Sequence, residues 1–284
     1  MSNEKGKLYI VATPIGHLAD ISLRAIDVLK AVDLIAAEDT RNSKKLLNEH
    51  AIQTKMMAYH EHNEDSKSAV LLDKLLEGSS IALISDAGTP LINDPGYSLV
   101  RKAHESGIKV VPLPGACAII AALSSSGLAT ARFSFEGFLP RTSSARQTIL
   151  ASYVKEPKTL VFYESSHRIL ACLEDVAQVY APSRKMTVAR ELTKTFETIV
   201  SGSVKEILEK VRADSNMQRG EFVVLIEGLD KKASKLSGLS DNTITTLNVL
   251  MKECSLKTAV KLTVELTGDS KKEIYAAALK LAGK

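Results

Sequence analysis

Four groups of ionisable residues close short apolar, β-branched runs, and each could do acid–base or anion-binding chemistry. Glu38, Asp39, Thr40 and Arg41 follow the run at 34–37. Asp86 follows 81–84, Glu164, His167 and Arg168 follow 159–163, and Arg190, Glu191 and Lys194 follow 186–189. A carboxylate in such a place can take a proton or orient a hydroxyl, and a neighbouring cation can hold phosphate or a developing alkoxide. The plain alternative for each is a helix cap or a surface ion pair. Asp86 also lies within a twelve-residue connection, 85–96, SDAGTPLINDPG, which carries two glycines, two prolines, an asparagine and two aspartates. A connection that long at a strand end is usually functional, because shorter turns suffice for chain reversal.

The elements that must position these groups alternate in the first half. Apolar runs at 8–12, 34–37, 56–59, 81–84 and 109–111 read as strands. Helical patterns begin after Ser22, around 70–76, near 95–106, and after the turn 112–115. Alternation of this kind predicts a mostly parallel sheet covered by helices on both faces, with ligands outside the carboxyl ends of the strands. The small, polar stretch 124–132 reads as an interdomain link. Beyond it, strands at 133–136, 159–163, 186–189, 196–200 and 221–227, with helices near 143–154, 166–179 and 204–212, suggest a mixed sheet with at least one antiparallel pair. Residues 231–239 form a second linker by composition. Helical periods at 244–253, 256–266 and 271–281 follow, the last two separated by a Gly268 stop and an Asp/Ser start. The expected division is an N-terminal α/β domain over 1–125, a second α/β domain over 132–230, and a basic helix-turn-helix-like module over 240–284. A helical dimer arm is the alternative for that module.

A chain of 284 residues, 45% hydrophobic, has ample core for two domains. The apolar run near the N-terminus is too short for a secretory leader, and the stretch 116–123 is about half a membrane span. Cys117, Cys172 and Cys254 are far apart and lack metal-ligand spacing, so reduced thiols in a cytoplasm and no metal are expected. The net charge of +4 is local: from Lys231 onward there are ten lysines against five carboxylates. A basic segment suits a phosphate-rich partner and also serves solubility.

Short connections at 13–16, 38–41, 85–96 and 114–116 fall at one expected edge of the first sheet and favour a small-molecule cleft. No GxGxxG follows the first strand and no GxxxxGK[ST] occurs, so a nucleotide phosphate loop is unsupported. The segments TPIGHLADIS, AAEDTR, ISDAGTPLINDPG, PLPGACA, EGFLP, FYESSHR, VARELTKTFE and GEFVVLIEG, spread over essentially the whole chain, resemble those of the ribosomal RNA small-subunit methyltransferase I family, in the tetrapyrrole-methylase-like class. The resemblance implies two α/β domains with S-adenosyl-L-methionine in the cleft between them, a homodimer, and 2′-O-methylation of a cytidine ribose near the decoding region of 16S rRNA. It places the donor against Ile15, then Gly88, Thr89, Pro90 and Ile92 of the long loop. Further contacts are Gly115, Ala116, Cys117 and Ala118 after the PG turn, with Tyr163 and Glu221 from the second domain. The broader class has an aspartate in a GDP turn where this chain has Thr89, so a threonine hydroxyl or the backbone takes its place.

Methyl transfer is an in-line displacement that needs an oriented acceptor oxygen and an outlet for its proton. Asp39 and Asp86 are the expected pair for acceptor positioning or proton removal, with Arg41 and Lys194 on RNA phosphate or the developing alkoxide. Further RNA contacts are expected from His60, Arg132, Arg141, Arg168, Arg190 and the C-terminal lysines. Aromatic residues make up only 5% of the chain, so recognition of an assembled small ribosomal subunit by shape and backbone is favoured over reading of a free strand. The competing readings are a methyltransferase of the same fold acting on a tetrapyrrole, and a non-enzymatic RNA-binding ribosome-assembly factor.

Overall fold

The computed structural model describes residues 5–229, 239 and 241–281. Two five-stranded sheets form its main unit. The first contains β1 (Lys7–Val11), β2 (Leu34–Ala37), β3 (Met56–Ala58), β4 (Ile81–Ile84) and β5 (Lys109–Leu113), in the order β3-β2-β4-β1-β5. All of its pairings are parallel. Ile35, Ala37, Ala82 and Ile84 pack on one face with Ala25 and Leu29 of α1 (Leu23–Ala31) and Leu46 of α2 (Thr40–Glu49). The alternate residues Ala36, Ile81 and Leu83 pack on the other face with Leu71 of α3 (Glu64–Leu76) and Leu99 of α4 (Tyr97–Glu105). A sheet buried on both faces accounts for central strands, β2 and β4, that are apolar at every position.

The second sheet contains β6 (Phe133–Phe138), β7 (Thr159–Ser165), β8 (Lys185–Arg190), β9 (Thr198–Ser203) and β10 (Glu221–Ile226), ordered β6-β7-β10-β8-β9. Only β6–β7 is parallel; the others are antiparallel, so the sheet is mixed as its sequence suggests. α5 (Ala118–Ser126) follows the last strand of the first sheet, yet its Ile119, Ala122 and Leu123 pack on Val161, Ala189, Val223 and Leu225 of the second. That crossing helix joins the two sheets into one compact unit, 1–152 with 159–227. The second sheet's remaining helices are α6 (Ser143–Ser152), α7 (Ile169–Val179) and α8 (Val204–Ala213).

Residues 153–158 and 228–284 make a second unit. Its helices α9 (Asp241–Glu253), α10 (Leu256–Thr267) and α11 (Lys271–Leu281) share a core of Leu247, Ala259, Val260, Ile274 and Ala278. Ser255 caps α10 and Gly268 ends it in the left-handed conformation, as the sequence predicts. The linker expected over 231–239 lies, apart from residue 239, outside the described residues.

Several expectations need correction. The residues following Asp39 form helix α2, with Asp39 as its N-cap. β5 runs through Pro112, where a turn was expected; it is an edge strand bonded only to β1, so the missing N–H is tolerated. β9 begins at Thr198, and Phe196 is 69% exposed outside it.

Candidate active site

The loops after β1, β4 and β5 meet the ends of β7 and β8 and the start of β10, and enclose a cavity of about 410 Å³. Antiparallel register places Glu221 beside Ser165 and Phe222 beside Arg190, so three strands of the second sheet contribute at one edge. Of the residues expected at the donor site, Ile15, Gly88, Thr89 and Ile92 line the cavity from the first sheet. Cys117 and Ala118 line it from the start of α5, and Tyr163 and Glu221 from the second sheet. Pro90, Gly115 and Ala116 lie just behind: Pro90 is buried, Gly115 packs where a Cβ would meet that of Ala12 at 2.7 Å, and the Ala116 carbonyl accepts from the Thr89 hydroxyl at 3.0 Å. The threonine thus ties the long loop to the PG turn.

The long loop is fixed at both ends. Thr13 and Gly88 exchange two backbone hydrogen bonds of 2.9 Å, and the Thr13 hydroxyl donates to the Ser85 carbonyl at 3.1 Å. At the far end Glu64 Oε1 accepts from the backbone N–H groups of Gly96 at 3.2 Å and Ser98 at 2.9 Å, capping α4 from a different helix. In between, Leu91 and Asn93 hold φ of 72° and 67°. Such left-handed non-glycine residues cost about 1 to 3 kcal/mol each and persist only where the surroundings enforce them, typically around functional sites.

Asp94, at the end of this loop, is a site residue that sequence reasoning missed. It lines the cavity, and burial pushes its carboxyl up to about 6, with Ser85 opposing and the charges of Glu38 and Asp86 adding. Its acidity suits a base working near neutrality. Glu164 also lines the cavity and is only 2% exposed, but it pairs with the Arg168 guanidinium at 3.2 Å. Across the cavity Lys194 Nζ lies 3.0 Å from both Glu191 and Glu221. Burial works against its charge, but the two carboxylates hold its pKa above the ordinary value.

Asp39 and Asp86 do not line this cavity; they lie beside it at the start of α2. Asp86 Oδ1 accepts from the Asp39 N–H at 3.0 Å and Oδ2 from the Asn42 amide at 2.8 Å. Asp39 accepts from the Arg41 N–H at 2.8 Å and from its guanidinium at 2.7 Å. The Arg41 side chain foremost, then its backbone N–H, lowers the Asp39 carboxyl to about 2. Asp39 is therefore a weak base.

The cations expected on RNA divide in two. Arg41, Arg132 and Arg141 are exposed. Arg190 is buried, and its guanidinium donates to the carbonyls of Arg219 and Phe196; Arg168 donates to those of Leu139 and Pro140 as well as to Glu164. These partners occupy both guanidinium groups within the protein. The half-buried His60 meets Asn63 through ring Nε2 at 3.1 Å.

Gly16 shows how closely the two halves approach at the lip. A Cβ there would lie 2.5 Å from Lys194 Cγ and 3.0 Å from the Leu192 carbonyl, while the His17 N–H donates to Thr193 Oγ1 at 3.1 Å. Gly16→Val should push the 191–194 strap outward and weaken S-adenosylhomocysteine binding roughly tenfold or more, about 1.4 kcal/mol, by calorimetry.

The fold is that of the tetrapyrrole (corrin/porphyrin) methylases: that family matches residues 7–208, and the RsmI C-terminal HTH domain matches 237–282. Among solved structures, cobalt precorrin-4 methyltransferase superposes with a TM-score of 0.57 at 17% identity, over 78% of this chain and 94% of that one. Uroporphyrin-III C-methyltransferase from Thermus thermophilus complexed with S-adenosyl homocysteine gives 0.54 at 17% identity, over 78% and 97%. At that identity the likeness is one of fold. The chain belongs to the ribosomal RNA small subunit methyltransferase I family. It is 52% identical over 281 residues to the member from Escherichia coli O157:H7, covering 99% of this chain and 97% of the relative. With the member from Haemophilus influenzae it shares 49% over 275 residues, 97% of each.

Proposed function

We propose that the protein transfers a methyl group from S-adenosyl-L-methionine to the 2′-oxygen of a cytidine ribose in 16S rRNA of the assembled small ribosomal subunit. The observation that carries this is the cavity of about 410 Å³ at the strand ends, in a chain of this family. Its apolar walls, Ile15, Ile92, Leu192 and Val223, suit an adenosine-sized group, and its lining holds three carboxylates against one lysine, which suits a cation. When bound, the donor supplies an electrophilic methyl. The protein's own groups do the rest. Ile15, Gly88, Thr89, Pro90 and Ile92, with Gly115 to Ala118, Tyr163 and Glu221, shape the pocket. Asp94 accepts the ribose hydroxyl proton, Asp86 and Asp39 orient the acceptor, and Lys194 keeps the second-sheet side fixed between its two carboxylates. Arg41, Arg132 and Arg141 meet RNA phosphate.

Incubation with labelled S-adenosyl-L-methionine and small subunits, naked rRNA or a tetrapyrrole tests the reading. Label is expected on small subunits; label on the tetrapyrrole alone would refute it. S-adenosylhomocysteine should also protect Cys117, which lines the cavity, from alkylation.

The C-terminal helices and their lysines serve as an RNA-binding module. A chain ending at residue 230 should bind small subunits more weakly with a flatter salt dependence, yet keep its affinity for S-adenosylhomocysteine. Equal loss of both would instead mark a structural arm. A homodimer in the cytoplasm completes the proposal. Large apolar side chains left exposed, Leu23 at 81% and Ile120 at 54%, are surface that a subunit contact would cover, and the three cysteines are free.

A further inference from the structure

A second, smaller recess of about 90 Å³ lies against the first turn of α2. Pro14, Leu18 and Leu46 make apolar walls, and the Asp86 carboxylate, the Asn42 amide and Lys45 stand around them. Ser43 contributes to the lining, is 5% exposed, and its hydroxyl is buried with no hydrogen-bond partner. An unpartnered buried hydroxyl costs about 1 to 3 kcal/mol unless something that fills the recess satisfies it.

The recess adjoins the large cavity. Thr13 and Pro14 line the recess and Ile15 the cavity; Ser85 and Asp86 line the recess, Ala87 and Gly88 the cavity. The Thr13–Gly88 bridge holds these two segments side by side. The two spaces are therefore neighbours, lined by consecutive residues of the same two segments. The volume has room for one planar ring and not for a whole nucleotide. Asp86 offers only acceptors: each oxygen already takes one hydrogen bond and keeps another lone pair. A carboxylate favours a ring that presents an exocyclic amino group and disfavours one that presents a carbonyl in the same place. Lys44, Lys45 and Arg41 are exposed on the same turns of the helix, within reach of flanking phosphates.

We propose that this recess is the base subsite for the acceptor nucleotide, taking a cytosine-type pyrimidine whose amino group donates to Asp86 and whose ring acceptors meet the Ser43 hydroxyl. This rests on the RNA methyltransferase reading above and makes Asp86 the residue that selects cytosine over uracil. Engaging the base this way requires it to leave its stack, as in other enzymes that read a flipped base by its pairing edge.

The test uses the full-length protein and small subunits carrying either cytidine or uridine at the acceptor position. Wild-type protein should prefer cytidine. Asp86→Asn replaces one acceptor with an amino donor, so its kcat/KM on cytidine should fall about 10- to 100-fold and its cytidine-to-uridine ratio at least tenfold. Ser43→Ala should lose roughly 3- to 10-fold on cytidine. Affinity for S-adenosylhomocysteine should stay close to wild type in both, and Tm should hold in Asp86→Asn and rise in Ser43→Ala, which removes the unpartnered hydroxyl. An unchanged cytidine-to-uridine ratio in Asp86→Asn would overturn the subsite, as would a Ser43→Ala variant equal to wild type, the sign of ordered water only in the recess. No methyl transfer by the wild-type protein to either RNA would instead refute the RNA reading itself.

Discussion

Asp94→Asn should reduce turnover about 10²- to 10⁴-fold while leaving S-adenosylhomocysteine affinity within a factor of two or so of wild type. The amide preserves the volume beside the cavity and removes only the capacity to take a proton. The pH profile gives the sign. Burial, opposed by Ser85 and reinforced by Glu38 and Asp86, holds the Asp94 carboxyl at about 6. The active form is the carboxylate, so kcat/KM should rise with pH through about 6 and level off, and the variant should lack that rise. Stability should move the other way. A carboxyl whose folded pKa is raised binds its proton more tightly in the native state, so the native state loses stability as pH climbs from about 4 to 6, and the loss persists above. The neutral amide escapes it, and Asp94→Asn should be more stable than wild type at pH 7 by about 1 to 2 kcal/mol in urea unfolding, solvent screening of the partly exposed carboxyl included. Loss of both activity and stability would mark Asp94 as a structural residue.

Asp175→Ala should destabilise the protein by about 3 to 5 kcal/mol. Arg146 and Asp175 are each 4% exposed in their side chains and lie 2.5 Å apart. The carboxylate also accepts from Ser143 and Gln147 at 2.7 Å each. Removing it leaves a buried guanidinium without its counter-ion. Replacing both, as Arg146→Met with Asp175→Leu, should recover most of the loss, because the pair's desolvation disappears with it. Burial raises the Asp175 carboxyl, but Gln147, Ser143 and Arg146 together bring it below the ordinary range. Its contribution is therefore present above about pH 4 and lost as pH falls through the native value. The functional link is the turn after β6. Arg146 donates to the carbonyls of Pro140 and Arg141, and Arg168 donates to the same Pro140 carbonyl. Phe138, the residue before that turn, is a wall of the cavity.

Much of this fold was legible because the sheet strands are short apolar runs punctuated by glycine and proline. The exceptions have physical reasons. Helix α2 escaped notice because TRNSKKLLNE carries only two apolar residues, Leu46 and Leu47, too few for a visible period; the capping role of Asp39 was hidden with it. Phe196 looks like a strand residue, yet it belongs to a strap in which Glu191 and Thr193 have φ of 51° and 63°.

The site divides in the same way. Ile15, Gly88, Thr89, Ile92, Cys117, Ala118, Tyr163 and Glu221 converge on one cavity, and the family resemblance placed them. Asp94 reads in sequence as a turn aspartate before Pro-Gly, and only its burial and its neighbours from two other loops give it a raised pKa. Arg168 and Arg190 have the charge of phosphate ligands, but carbonyl oxygens distant in sequence occupy their guanidinium groups, a fact no local pattern carries. The Ser43 recess was invisible for a related reason, since it forms where α2 meets the loops after β1 and β4.

Nucleoside mass spectrometry of small-subunit RNA after reaction with the purified protein and isotopically labelled S-adenosyl-L-methionine reads the methylated atom itself. The expected product is 2′-O-methylcytidine, with the label on the ribose and none on a base. Label on a base atom would contradict the ribose acceptor assigned to Asp94, and label on the ribose of a nucleoside other than cytidine would contradict the pyrimidine subsite assigned to Asp86 and Ser43.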